Sequence, residues 1–203
     1  MKGVYLVTDQ AACLGRSLDG VVAAAVEEGL CCVQLREKQA NTRDFLDQAR
    51  RLKSILAGTG IPLVINDRLD IALAVEADGV HIGQSDMPYE TARKLLGPSA
   101  LIGLSVETWE EVEEAQNLDL AYIGVSPVFA TPTKTATKTP WGLEGLGRIA
   151  AFSRHSLVAI GGINEATAQQ TLDSGAHSLA VVSAICSAPD PGRATQSLNQ
   201  FFK

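Results

Sequence analysis

Short apolar segments alternate with amphipathic segments along all 203 residues of the chain, and this alternation limits the possible folds more than any other feature. The apolar segments are near-continuous runs of Val, Ile and Leu, which are typical of parallel strands buried on both faces. The predicted strands are Gly3–Thr8, Cys31–Glu37, Pro62–Asn66, Gly79–Gln84, Leu101–Val106, Tyr122–Val128, Leu157–Gly161 and Ser178–Ala184. Eight units of roughly 25 residues predict one (β/α)₈ TIM barrel over residues 1–203, with no second domain.

Helix signals fill the intervals between these strands. Apolar residues recur at helical spacing from Phe45 to Leu56. Thr108 and Glu111 form a capping box, and Asn164 is a typical helix N-cap. A doubly wound open sheet is the alternative fold, but the first strand leads into Thr8-Asp9-Gln10 rather than the glycine-rich turn of that fold.

Composition excludes several classes of protein. With 46% hydrophobic and 20% charged residues, the chain can fill a core and does not resemble a disordered protein. Its net charge of −6 argues against nucleic-acid or anionic-membrane partners. We find no signal-peptide pattern and no run long enough to span a bilayer. The four cysteines lack CxxC spacing, so we expect reduced thiols and a cytoplasmic protein; a homo-oligomer is compatible with the sequence.

The residues at the carboxyl ends of the predicted strands are unusually polar. In a barrel these positions carry the functional site. Cations, carboxylates, hydroxyls and glycines would converge there, at one end of an acidic protein. The candidates, in strand order, are Gln34, Arg36, Glu37, Lys38, Asn66, Asp67, Asp86, Ser105, Thr131, Thr133, Lys134, Gly161, Gly162, Val182 and Ser183.

Each charged candidate also has a purely structural interpretation. Asp67 and Asp86 each precede a helix and could simply cap it, but as a pair on adjacent strands they could bind Mg²⁺, which takes one or two carboxylates. Arg36 and Lys38 could form surface salt bridges, although strand alternation places both on one side together with Gln34. Lys134 alone would be a solvated loop lysine, but flanked by threonine hydroxyls and paired with a Mg²⁺ site it is better interpreted as a phosphate contact.

Glycine and histidine positions narrow the chemistry further. Gly161-Gly162 and Val182-Ser183 fit the phosphate site common at the last strands of barrels. We interpret His81, inside strand four, as a satisfied interior residue rather than a catalyst. The sequence thus predicts a cationic site with Mg²⁺ for a diphosphate and a neutral site for a monophosphate. This pairing favours transfer of a group from a diphosphate ester to a phosphorylated acceptor.

These residues lie in stretches that resemble the thiamine-phosphate synthase family over nearly the whole chain and in the expected order. The resembling stretches are Tyr5–Asp9, Val33–Lys38, Ile65–Asp67, Gly79–Asp86, Gly103–Val106, Gly124–Lys134, Ala159–Ile163 and Ala180–Ile185. The resemblance implies a (β/α)₈ transferase that joins 4-amino-2-methyl-5-(diphosphomethyl)pyrimidine to 4-methyl-5-(2-phosphoethyl)thiazole. The implied products are thiamine phosphate and diphosphate.

The resemblance also implies roles for individual residues. Mg²⁺ would bind to Asp67 and Asp86. The residues implied to hold the pyrimidine diphosphate are Gln34, Leu35, Arg36, Glu37, Lys38 and Asn66. The residues implied to contact or neutralise the departing diphosphate, and so to be catalytic, are Arg36, Lys38, Ser105 and Lys134. The residues implied to hold the thiazole phosphate are Thr131, Pro132, Thr133, Gly162, Val182 and Ser183.

Two other functions fit parts of the sequence. A thiazole tautomerase would share the fold, but it needs an acid–base group, and its histidine just beyond the serine of strand five is replaced here by Glu107. That isomerase also has no need for the set of cations and carboxylates found here. A non-catalytic phosphate-binding regulator would not need a leaving-group site either.

Overall fold

The computed structural model describes residues 1–131 and 139–203 and has eight parallel strands closed into a barrel. The strands are β1 Gly3–Val7, β2 Cys32–Leu35, β3 Leu63–Asn66, β4 Gly79–Ile82, β5 Leu101–Val106, β6 Tyr122–Val125, β7 Leu157–Ile160 and β8 Ser178–Val181. The helices are α1 Leu18–Glu27, α2 Thr42–Leu56, α3 Leu69–Ala74, α4 Tyr89–Leu96, α5 Trp109–Ala115, α6 Gly142–Phe152, α7 Glu165–Asp173, α8 Ser183–Cys186 and α9 Pro191–Asn199. The predicted (β/α)₈ fold is confirmed.

Ring closure joins the first strand to the last and gives the barrel two cores. Strand β1 pairs with β2 on one side and with β8 on the other, for example Tyr5 with Cys32 and with Ala180. A large core lies between the strands and the helices, and a smaller one inside the barrel contains Tyr5, Tyr122 and Val158. Both faces of each strand are therefore buried, which explains the continuous apolar runs in the sequence.

Several strands end earlier than the sequence predicts. The second strand ends at Leu35 rather than Glu37, and the eighth ends at Val181, so that Ser183 begins helix α8 instead of ending a strand. At Val182 the backbone leaves the extended region, with φ −112° and ψ −82°. A short apolar run cannot by itself be assigned to a strand or to a buried helix. Here the turn of the backbone at Val182 ends the strand and starts the helix.

The predicted helix caps are present. The Thr108 hydroxyl accepts the Glu111 backbone N–H, while the Glu111 carboxylate accepts the Thr108 N–H. The Asn164 side chain accepts the backbone N–H of Ala166 at the start of α7. These caps satisfy backbone donors that the first turn of a helix leaves unpaired.

The cysteines and histidines outside the barrel interior have structural roles. All four cysteines are free, and burial raises the pKa of Cys31 to about 11 and that of Cys186 to about 12, which keeps both thiols protonated and unreactive. His155 donates from Nε2 to the Ala115 carbonyl, and Nδ1 of His177 accepts from a backbone N–H. No helix among the described residues is long and apolar enough to cross a bilayer.

Gly103 creates the space for the Tyr122 ring inside the barrel, since a Cβ at position 103 would overlap that ring. We expect Gly103→Ala to lower the free energy of unfolding by about 1–3 kcal/mol, the usual range for overpacking. Gly20→Ala is the matched control, because a Cβ there meets nothing closer than 4.0 Å. It should stabilise α1 by about 0.5–1 kcal/mol. Urea unfolding measures both, and an unchanged Gly103→Ala would contradict the packing argument.

Candidate active site

A cavity of about 820 Å³ opens at the carboxyl ends of the strands. Its volume is in the range that holds a small organic ligand. Tyr5, Tyr122 and Val158 of the inner core lie at its base, and the loops after the strands form its walls. We call it the carboxyl-end cavity. Among the predicted residues that line it are Gln34, Arg36, Lys38, Asn66, Asp67, Asp86, Ser105, Thr131, Gly162, Val182 and Ser183.

One wall, the charged side, carries Arg36, Lys38, Asp67 and Asp86. Lys38 Nζ lies 2.5 Å from a carboxylate oxygen of Asp67. Asp67 adopts a left-handed backbone conformation with φ +62°, while its N–H donates to the His81 carbonyl at 2.9 Å. Asp adopts this conformation more readily than most residues, and the hydrogen bond to the adjacent strand holds it there. The structure therefore aims this carboxylate into the cavity at some conformational cost.

Asp86 lies beside Asp67 on the charged side. One of its carboxylate oxygens accepts the Gly83 backbone N–H at 2.7 Å. Burial raises the pKa of the Asp86 carboxyl, and the neighbouring Asp67 carboxylate raises it further. Two carboxylates brought together in a partly buried wall form a site that a cation would stabilise. Two oxygen ligands, with the remainder from water and phosphate, are what Mg²⁺ ordinarily takes from a protein.

Arg36 is oriented by the end of strand β1. Its backbone N–H donates to the buried Thr8 hydroxyl at 3.0 Å, and its guanidinium lies 4.0 Å from the Asp9 carboxylate. Gln34, Arg36 and Lys38 all line the cavity, on one side as the sequence predicted, although Arg36 and Lys38 follow the end of β2. Arg36 is partly buried and Lys38 is half exposed, which places two positive charges along one wall.

The opposite wall, the glycine side, carries Gly161, Gly162, Val182 and Ser183. It follows β7 and β8, while the charged side follows β2 to β4, and β3 and β7 are four strands apart in either direction around the ring. Gly162 has φ +68°, and a Cβ there would lie 2.7 Å from that of Phe129. Position 162 therefore needs glycine for two reasons that do not depend on a ligand: the positive φ of the backbone and the nearby Phe129.

Polar side chains also extend down into the barrel from the base of the cavity. His81 Nε2 lies 2.8 Å from Ser105 Oγ, and His81 Nδ1 lies 3.0 Å from Tyr122 Oη. His81 is a satisfied interior histidine, as predicted, but it also lines the cavity and contacts a candidate site residue. The sequence analysis did not predict that contact. Its one indication was that His81 alternates with Gly79 and Gly83 along the strand, so that the three positions share one side.

Some predicted residues are not brought into the cavity. The Leu35 side chain is fully buried in the core between strands and helices, because strand alternation turns it away from Gln34 and Arg36. Glu37 faces a small depression outside the barrel that is also lined by Gln10 and Asp44. Pro132, Thr133 and Lys134 lie outside the described residues.

The cavity wall also contains residues to which the sequence assigned no role. The Gln84 side chain donates to the Ser105 carbonyl at 2.8 Å. Glu107, Glu111 and Asn164 line the wall as well. From the sequence, Asn164 and Glu111 were identified only as helix-capping residues. Each of these helices begins soon after the carboxyl end of a strand, so its capping residues lie near the cavity. Within the described residues no three Asp, Glu, His or Cys side chains converge as a metal cluster.

Comparisons with known proteins identify the family of this chain. Residues 4–185 match the family described as Thiamine monophosphate synthase. The chain is 59% identical to the thiamine-phosphate synthase of Albidiferax ferrireducens over 98% of this chain and 91% of that one, and 52% identical to that of Vibrio parahaemolyticus over 96% and 95%. A solved thiamine phosphate pyrophosphorylase from Pyrococcus furiosus superposes with a TM-score of 0.88 at 35% identity, covering 98% and 94%. The chain therefore belongs to the thiamine monophosphate synthase family and is a transferase of that family.

Proposed function

We propose that this transferase condenses 4-amino-2-methyl-5-(diphosphomethyl)pyrimidine with 4-methyl-5-(2-phosphoethyl)thiazole to give thiamine phosphate and diphosphate. The observation that carries the proposal is the division of one cavity into a charged side and a glycine side at opposite positions of the ring. A single site of this kind suits two substrates, one with a leaving diphosphate and one with a monophosphate. Relatives named thiamine-phosphate synthase support the same reaction.

On the charged side, we assign the diphosphate to Arg36, Lys38 and Ser105. The bond between the pyrimidine methylene carbon and the diphosphate oxygen breaks, and the electron pair leaves with the diphosphate. The guanidinium and ammonium groups neutralise the charge that grows on the departing oxygen, which is where an enzyme gains most from fixed charges. Gln34 and Asn66 would orient the pyrimidine from the base of the same wall. Lys134 remains a predicted further contact.

The adjacent Asp67 and Asp86 carboxylates fit a divalent cation, and we propose them as the residues that hold Mg²⁺. Mg²⁺ would supply further positive charge to the diphosphate oxygens. Lys38, which already pairs with Asp67, would then be freed toward the diphosphate. This assignment explains why two carboxylates lie beside a lysine in a cavity wall that we propose binds an anion.

On the glycine side, we assign the acceptor monophosphate to Gly162, Val182 and Ser183, with Thr131 nearby. Backbone N–H groups at glycine and a small hydroxyl suit a phosphate dianion. The thiazole nitrogen attacks the methylene carbon with its lone pair, which forms the new C–N bond and leaves the ring positively charged. This nitrogen has no proton to lose, so the reaction needs no general base.

The direct test is to incubate the purified protein with both substrates and Mg²⁺ and to quantify thiamine phosphate and diphosphate by chromatography. We expect equal amounts of the two products and no thiamine phosphate when either substrate is omitted. Protein that consumes neither substrate, or that only isomerises a thiazole, would contradict the proposal. The same assay with added EDTA tests the metal requirement.

Ser183→Ala tests the monophosphate assignment. Losing one hydrogen bond to a charged group removes about 1.5–3 kcal/mol, so the KM for the thiazole phosphate should rise roughly 10–100-fold. The KM for the pyrimidine diphosphate, and reaction with the dephosphorylated thiazole alcohol, should change little. A hydroxyl is a cleaner probe than Gly162, where any side chain would collide with Phe129.

Ser187→Ala is the control for this variant. Ser187 follows the same short helix, but its hydroxyl donates to the Ala12 carbonyl at 2.9 Å outside the cavity. The KM for both substrates should stay at the wild-type value. Equal increases for the two substrates in Ser183→Ala would mean that the two-sided division of the cavity is incorrect.

A further inference from the structure

A short turn after strand β4 carries Asp86 into the cavity wall. The Asp86 backbone N–H donates to the Gly83 carbonyl at 3.2 Å, which closes a β-turn over residues 83–86. In the other direction the Gly83 backbone N–H donates to Asp86 Oδ2 at 2.7 Å. A Cβ at Gly83 would lie only 3.1 Å from that oxygen, so glycine keeps open the space beside the carboxylate. The turn therefore holds the Asp86 carboxylate against its own backbone.

The side chain of Gln84, inside this turn, reaches the neighbouring strand β5. Strand β4 ends at Ile82, whose partner in β5 is Leu104, so Ser105 lies one residue beyond the paired segment. The Val106 carbonyl accepts a hydrogen bond from the backbone just after β6. Because successive carbonyls of a strand point to opposite neighbours, the Ser105 carbonyl points toward β4. Gln84 Nε2 donates to this carbonyl at 2.8 Å.

The orientation of the Gln84 amide follows from its partner. A backbone carbonyl can only accept a hydrogen bond, so the amide nitrogen, and not the amide oxygen, faces Ser105. The bond takes the place that the backbone N–H of Gln84 would fill if β4 continued alongside β5. The side chain therefore extends the pairing of β4 with β5 by one hydrogen bond, while the backbone of residues 83–86 folds into the turn.

The two segments that Gln84 joins carry groups assigned to the same ligand. Asp86 is proposed to hold the cation of the diphosphate, and Ser105 to contact the diphosphate itself. Groups that hold one ligand must keep a fixed separation, and a displacement of about 1 Å can lower the rate by about 10²-fold. Gln84 is an exposed residue of the cavity wall, so its replacement should leave the core of the barrel intact.

We propose that Gln84 is a positioning residue, which links the turn of residues 83–86 to the end of β5 and so sets the position of the Asp86 carboxylate relative to Ser105. A cation held by Asp86 and the Ser105 hydroxyl can then act on one diphosphate. Gln84 acts through these two residues and needs no contact with either substrate. The roles of Asp86 and Ser105 rest on the proposed function, whereas the closed turn and the bond from Gln84 do not.

Amide hydrogen exchange, followed by nuclear magnetic resonance, tests the link without any metal or substrate. In Gln84→Met the side chain keeps its length but can no longer donate to β5. Because exchange requires local opening, the Gly83 and Asp86 amides should exchange about 3–10-fold faster, the effect of losing one hydrogen bond. Gln169→Met is the matched control, since Gln169 donates within α7 outside the cavity, and it should leave both amides unchanged. Unchanged exchange in Gln84→Met would overturn the proposal.

Binding of Mn²⁺ in the presence of inorganic diphosphate then tests whether the link sets the cation site. Electron paramagnetic resonance measures unbound Mn²⁺, so this readout does not depend on turnover. The dissociation constant should rise about 3–10-fold in Gln84→Met and stay at the wild-type value in Gln169→Met. In an Asp86→Asn background Gln84→Met should cause no further rise, because the carboxylate that it positions is gone. An equal rise in that background would mean that Gln84 contacts the ion or the diphosphate directly, which would overturn positioning.

The outcomes separate this inference from the proposed function. Faster exchange of the turn with an unchanged dissociation constant for Mn²⁺ would overturn the inference, because the link would then not set the cation site. Wild-type protein that binds no Mn²⁺ with diphosphate would instead contradict the metal assignment of the proposed function, and the positioning of a cation by Gln84 with it. The exchange result would still decide whether Gln84 holds the turn.

Discussion

Asp67→Asn is expected to lower turnover by about 10²–10³-fold, the usual effect of removing one electrostatic partner from a developing charge. Asparagine is nearly isosteric and tolerates the left-handed backbone of this position, φ +62°, so the fold should be retained. The ion pair with Lys38 is partly exposed and contributes little to stability. The loss should therefore appear in kcat and in the Mg²⁺ concentration that gives half-maximal rate, while the thermal midpoint without metal stays near that of the wild type.

Asp70→Asn is the matched control for this prediction. Asp70 lies three residues further along the chain, is exposed and pairs with Arg68 outside the cavity. Its loss should leave turnover and Mg²⁺ dependence unchanged. If Asp67→Asn showed normal turnover with normal Mg²⁺ dependence, the assignment of the metal to Asp67 and Asp86 would be wrong.

Arg36→Met should lower kcat/KM for the pyrimidine diphosphate by roughly 10²-fold or more, because methionine keeps an apolar stem but removes the charge and the donors that neutralise the departing group. The KM for the thiazole phosphate should change little, since its proposed phosphate contacts lie on the opposite side of the ring. Initial rates with each substrate varied in turn measure the two effects separately.

Arg51→Met serves as the control for Arg36→Met. Arg51 is an exposed residue of α2 that pairs with Asp19 away from the cavity. It should retain the wild-type kinetics for both substrates. An equal loss of affinity for both substrates in Arg36→Met would show that Arg36 supports the whole cavity rather than the diphosphate.

Most of the fold could be predicted because its signal is local. Each strand of four to six residues is a short Val, Ile and Leu run, and each cap is a motif of a few residues such as Thr108 with Glu111. The alternation of inward and outward residues also predicted that Gln34, Arg36 and Lys38 face one side. The same alternation argues against a place for the Leu35 side chain in the site. The family resemblance had included Leu35, and the structure places its side chain in the core between strands and helices.

Features that depend on contacts between distant segments of the chain could not be predicted from local sequence patterns. The boundary at Val182, the left-handed backbone of Asp67 and the collision that requires glycine at position 162 each depend on neighbours from other strands. His81 is the clearest case. Its partners Tyr122 and Ser105 are 41 and 24 residues away along the chain, so its sequence surroundings predict an interior histidine but not the two bonds that it makes.

The sequence by itself thus determined the repeating β/α order, the end of the barrel where polar groups collect, and the family to which the chain is similar. Local periodicity and the residue types at strand ends are sufficient for these features. Only the tertiary structure decided which of the polar groups share the cavity, how Asp67 and Asp86 come to adjoin, and how His81 comes to lie between Tyr122 and Ser105 beneath it. Ring closure brings together residues that no local pattern relates, and the hydrogen bonds between them depend on their distances in the folded barrel.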